Sequence, residues 1–66
     1  MRIFVNGAPR QARDGLTLDD LLIELGLKER RVAVALNHDV VPRADHPTVV
    51  VREDDRVEIV HAVQGG

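Results

Sequence analysis

An α+β domain is expected from this 66-residue chain, a mixed sheet of four to five strands with one main helix across one face. Three observations carry that expectation. Asn6-Gly7, the strongest short hairpin signal, joins an alternating apolar segment to a polar one. Leu18, Leu21, Leu22 and Leu25 recur at i, i+3, i+4 and i+7, which makes one apolar stripe on a helix. Short valine-rich segments then follow one another, separated by turn residues, as strands do.

Taken in order, Met1 to Asn6 alternates, with Ile3 and Val5 on one face and Phe4 on the other. Ala8 to Arg13 supplies a polar return strand, and Pro9 within it belongs on an outer edge. Asp14-Gly15 breaks the strand. Thr17 is a good helix N-cap, and Asp19 and Asp20 lie in the first turn, where the helix dipole favours negative charge. Gly26 suits the left-handed position that closes a helix, with Leu27 folding back as its apolar contact.

Val32 to Leu36 reads as a third strand, its larger residues alternating with Ala33 and Ala35. Asn37-His38-Asp39 turns into Val40-Val41, and Pro42 ends that piece. Ala44 to Pro47 is expected as a loop, Thr48 to Val51 as a short apolar strand and Arg52 to Arg56 as a charged turn. Val57 to Val60 is the last strand, with Val57 and Ile59 on the opposite face from Glu58 and Val60. A hairpin, a helix and then several strands is the order of the β-grasp, or ubiquitin-like, arrangement. The right-handed crossover rule lays the helix across the face that bears Ile3 and Val5. Residues 1–61 form the domain on this reading, and 62–66 a flexible C-terminal tail.

Size and composition exclude much. A chain this short buries only about 60% of the surface its unfolded form exposes, which leaves little room for a catalytic cavity. It has no cysteine to staple the fold, so packing must hold it, and its 44% hydrophobic share is sufficient for that. The net charge is −2 with both signs interspersed, and Phe4 is the only aromatic residue. Neither a basic stripe nor a stacking platform for bases exists, so nucleic acid is not an expected partner. No apolar run approaches the roughly 20 residues of a membrane span, and the start reads as a strand rather than a signal peptide. The expected location is the cytoplasm.

Most candidate sites fall away. His38, His46 and His61 match no zinc spacing and read as exposed loop and strand-end residues, so no metal is expected. Asp19-Asp20 is a helix start, and Asp54-Asp55 a solvated turn. Serine and cysteine are both absent, which removes the usual nucleophiles. The glycines stand singly until the end, so no loop cradles a phosphate.

The terminus is the exception. Gly65-Gly66 would close a chain by chance only about 0.5% of the time. The bland reading is a frayed end. The chemical reading starts from glycine's missing Cβ, which lets such an end thread a narrow channel. Residues Ala62, Val63, Gln64, Gly65 and Gly66 would span roughly 16 Å and carry a carboxylate into another protein's active site. With a reference pKa of about 3.5 that carboxylate is an anion at neutral pH, able to attack the α-phosphate of ATP. Adenylation makes the acyl carbon electrophilic, with AMP as leaving group. A sulfur donor would then produce a thiocarboxylate, and an amine an amide. Since the chain has no cysteine, carried sulfur would have to sit on Gly66. The outward face of the sheet, with Phe4, Ala33, Ala35 and Val60, is the candidate partner surface.

Several stretches together resemble one family: the strand ending in Asn6-Gly7, the leucine-rich helix after Thr17, and Val32-Ala33-Val34-Ala35-Leu36-Asn37. Val40-Val41-Pro42-Arg43, Asp55-Arg56-Val57-Glu58-Ile59-Val60 and Ala62-Val63-Gln64-Gly65-Gly66 complete the match. Nearly the whole chain is similar to the ThiS family, the sulfur carrier proteins of thiamine biosynthesis. It differs from many relatives at His38, where glycine is common in the turn, and at Gln64, where some carry another glycine. The resemblance implies that the chain is not an enzyme and binds no cofactor. It implies that a ThiF-type adenylating enzyme activates Gly66 with ATP and magnesium. A sulfur relay that starts at a cysteine desulfurase then forms the thiocarboxylate, and thiazole synthase (ThiG) takes the sulfur into the thiazole ring. Rival readings are a molybdopterin-type or tRNA-thiolation sulfur carrier of the same fold, a protein-conjugating modifier, and a non-catalytic β-grasp binding module.

Overall fold

The computed structural model describes residues 1–61. Its elements follow the expected order, and they form one five-stranded sheet. Strand β1 is Arg2–Val5, β2 is Ala8–Gln11, helix α1 is Leu18–Glu24, β3 is Val32–Leu36, β4 is Asp39–Val41 and β5 is Arg56–His61. The spatial order is β2-β1-β5-β3-β4, so the last strand lies in the middle. It runs parallel to β1 and antiparallel to β3, while both hairpins are antiparallel. Strand β2 is an edge, as Pro9 requires, because proline has no N–H for a second neighbour.

Each hairpin turns on two residues with positive φ: Asn6 (50°) and Gly7 (84°), Asn37 (50°) and His38 (74°). Such turns match the right-handed twist of the strands they join. Asp39, expected in the second turn, already pairs with Leu36 as the first residue of β4.

The helix is built as its ends require. Thr17 Oγ1 accepts the Asp20 N–H at 3.0 Å, and Asp20 Oδ2 accepts the Thr17 N–H at 3.4 Å, a reciprocal capping box. At the other end Gly26 has φ +73°, its N–H bonds to Ile23 O and the Leu27 N–H bonds back to Leu22 O. That is a Schellman closure. Leu18, Leu21 and Leu22 point down into a core completed by Ile3, Leu16, Val34, Val51, Val57 and Ile59. The core therefore lies on the face that bears Ile3, as the crossover rule requires.

Two expectations are corrected. Thr48 to Val51 is not a strand; it makes one isolated bridge, Val50 with Thr17. Its backbone is committed elsewhere: the Thr48 and Val49 N–H groups both bond to Asp45 O at 3.1 Å, and Val49 O accepts the Leu18 N–H at 3.0 Å. His46 O takes the Asp19 N–H at 3.1 Å. Together with Thr17 Oγ1, these carbonyls satisfy the first-turn donors that a helix cannot satisfy internally. The apolar pattern of this segment records the burial of Val51 rather than sheet pairing. His46 is likewise not exposed. It lies 3% accessible behind a short 3-10 turn, Arg43–Asp45, with Nε2 3.1 Å from Val41 O. His38 and His61 are exposed, as expected.

Candidate functional site

Strand β5 is the element that precedes the residues singled out by the sequence. Val57 and Ile59 anchor it in the core, at 1% and 7% exposure, while Arg56, Glu58 and Val60 face outward. Its final residue, His61, is paired with Val32. The proposed acyl carrier Gly66 and the tail residues Ala62, Val63, Gln64 and Gly65 lie outside the described residues.

Two asparagines fix the strand that leads there. Asn6 Oδ1 accepts the Ile59 N–H at 2.8 Å, and its Nδ2 donates to Ile59 O at 3.2 Å. From the other neighbouring strand, Asn37 Oδ1 accepts the Arg56 N–H at 2.9 Å, and its Nδ2 donates to Asp55 Oδ1 at 3.0 Å. Each turn asparagine thus does two jobs. It adopts the left-handed backbone that few residues tolerate, and it replaces a ladder hydrogen bond where its own strand stops.

The outward face holds all four candidate surface residues but does not join them. Ala33 is the cross-strand partner of Val60, and Ala35 is the partner of both Glu58 and Val40. Val40 and Val60 are 75% and 62% exposed, so these four residues form an apolar patch among which Val40 was not anticipated. The alternation of β3 continued through the hairpin would have found it. Phe4 is set apart, level with Arg56, four residues and roughly 13 Å along β5 from Val60. Its ring is half-buried between two guanidiniums, Arg2 at 5.2 Å and Arg56 at 5.0 Å from the centroid. This stack accounts for the ring locally through cation–π attraction. It also gives the exposed part of the ring a cationic rim. Between the two parts, His38 Nδ1 faces Glu58 Oε1 at 3.5 Å.

Among the described residues, no three histidine, cysteine, aspartate or glutamate side chains converge on a metal-sized site. No described helix is long and apolar enough to cross a membrane. What the geometry defines is a small ubiquitin-like β-grasp domain whose central strand, β5, is the last described element of the chain.

The ThiS family model matches residues 3–66, and the chain belongs to that family. It is 38% identical to the sulfur carrier protein ThiS of Thermus thermophilus, over 97% of this chain and 98% of that one. It is 46% identical to a thiazole synthase of Magnetococcus marinus over its whole length, yet spans only 20% of that protein. The fold superposes on the crystal structure of the thiamine biosynthesis protein ThiS from Geobacter metallireducens with a TM-score of 0.88 and 30% identity, covering both chains fully.

Proposed function

We infer that this chain is a sulfur carrier of thiamine biosynthesis, loaded and unloaded at the Gly66 carboxylate. One observation carries the reading: the family match runs through to residue 66 and so includes Gly65-Gly66. The carboxylate oxygen attacks the α-phosphate of ATP, held with magnesium by a ThiF-type enzyme, and pyrophosphate leaves. The terminal sulfur of a persulfide on a cysteine desulfurase relay then attacks the acyl carbon and AMP departs. A second thiol cleaves the resulting acyl disulfide, leaving the thiocarboxylate on Gly66 and a disulfide on the relay. Thiazole synthase is the acceptor. Two thiazole synthases that match this chain end to end, each about five times its length, support that assignment over a molybdopterin or tRNA acceptor. On this reading the chain is a protein co-substrate rather than an enzyme, works in the cytoplasm and binds no cofactor of its own. Phe4, Ala33, Ala35 and Val60, with Val40, form the surface that docks on the loading enzyme.

Intact mass tests the assignment. Incubation with ATP, magnesium, the adenylating enzyme and a sulfur source should add the mass difference of one sulfur replacing one oxygen. An unchanged mass beside a demonstrably active enzyme and donor would leave a binding module as the better account. The docking surface has its own test. Phe4→Asp removes the ring from between Arg2 and Arg56 but leaves an anion between two cations, so the fold should persist. Its Kd for the adenylating enzyme is expected to rise about tenfold, the effect of losing one aromatic contact and reversing the local charge. A titration that returns the original affinity removes Phe4 from the surface.

A further inference from the structure

We propose that Lys28, Arg30 and Arg43 form a cationic collar at the root of the tail, which docks on carboxylates around the channel mouth of the adenylating enzyme. This rests on the carrier reading and adds a second contact, on a different side of the domain from the apolar sheet face.

Three observations meet here. A small cleft between the helix, the segment that follows it and the 3-10 turn is lined by Asp19, Leu22, Lys28, Arg30, Val32, Arg43 and His46. Three of those residues are cationic, and Asp19 is the one carboxylate, already paired with Lys28. Arg43 is held in place without being neutralised, because its Nη2 donates to the backbone oxygen of Lys28 at 3.3 Å. Neither Arg30 nor Arg43 has a carboxylate within 4.0 Å among the described residues. Arg2, Arg10 and Arg13 are each matched to an acid, whereas Arg52 and Arg56 have none within that distance either but do not line this cleft. Two exposed guanidiniums thus stay uncompensated side by side on a chain whose net charge is −2.

Position gives the cluster its meaning. Val32 lines the cleft and is the strand partner of His61, the last residue before the tail. A channel that accepts residues 62–66 opens within about 16 Å of this corner, the reach of five extended residues from His61. A rim with carboxylates would gain attraction during approach and favour the orientation in which the tail points inward. Steering of this kind raises association rates and is weakened by salt. The cleft itself is too small for a nucleotide, and Arg30 and Arg43 are both exposed, which favours a protein rim over a free phosphate.

The test measures adenylation of the full-length chain at saturating ATP while carrier and salt concentrations vary. Arg30→Glu/Arg43→Glu is expected to raise the KM for the carrier about tenfold at low ionic strength, leave kcat unchanged, and approach the unmodified chain at high salt. Arg30→Glu alone, which leaves the Arg43–Lys28 hydrogen bond intact, should show a smaller shift of the same form. Equal KM values, a difference that salt does not change, or a shift confined to the KM for ATP would overturn the proposal while leaving the carrier reading intact. An unmodified chain that is never adenylated at any salt concentration would sink both.

Discussion

A chain that lacks Gly65 and Gly66 is expected to keep the urea midpoint of the full chain, gain no sulfur, and inhibit loading of the full chain competitively. The first outcome follows from where stability resides. Every buried hydrophobic residue among those described lies between Ile3 and Ile59, and the asparagine bonds that hold β5 end at Ile59. The second follows from chemistry, since the reacting carboxylate would be replaced by one displaced by two residues, about 7 Å short of the adenylating site. Catalysis that depends on near-contact placement does not survive such a gap. The third outcome separates a carrier from an inert domain. If residues 1–61 supply the docking surface, the truncated chain competes for the enzyme and raises the KM of the full chain without lowering kcat. A truncated chain that still acquires sulfur would move the chemistry off Gly66 altogether.

Local rules made most of the fold legible. Asn6-Gly7, Thr17 with Asp20, and Gly26 each act within a few residues, so their roles as turn, cap and helix stop follow from neighbours in sequence. Pro9 was equally plain as an edge marker, because a missing donor constrains a strand wherever it sits. The second role of Asn6, its double hydrogen bond to Ile59, spans 53 residues and leaves no trace in local pattern. Thr48 to Val51 misled for a related reason. Burial on one side gives the same apolar run whether the backbone pairs in a sheet or caps a helix, and only the positions of Leu18 and Asp19 decide between them. His46 carried no signal, since a lone histidine between charged residues reads as solvent-exposed. The candidate site divides in the same way. Alternation put Phe4, Ala33, Ala35 and Val60 on one face, but the split between Phe4 and the rest comes from the parallel register of β1 on β5. The collar of Lys28, Arg30 and Arg43 joins segments fifteen residues apart, so only the folded chain brings it together.

Leu21→Ala should bring the free protein close to its unfolding midpoint at room temperature while costing much less activity when the partner enzyme is in excess. Leu21 is completely buried beneath the sheet, so its truncation removes apolar contact and leaves a cavity. Substitutions of this kind cost about 3 kcal/mol. A single core in a domain below about 70 residues rarely supplies more than about 3–5 kcal/mol. Urea titration followed by far-ultraviolet circular dichroism should therefore show a midpoint near zero denaturant. Leu21→Met, which keeps the volume, should lose less than about 1.5 kcal/mol. A loss below about 1 kcal/mol in Leu21→Ala would mean that the helix is not seated as described. Activity should respond differently because docking engages only the folded form. Partner at a hundred times its Kd restores about 2.7 kcal/mol of apparent stability by mass action. Loading at high enzyme concentration should thus approach that of the unmodified chain, whereas at low enzyme it should fall with the folded fraction. A deficit that persists at saturating enzyme would place Leu21 in the docking geometry itself, through the cleft that its neighbour Leu22 shares with Arg30 and Arg43.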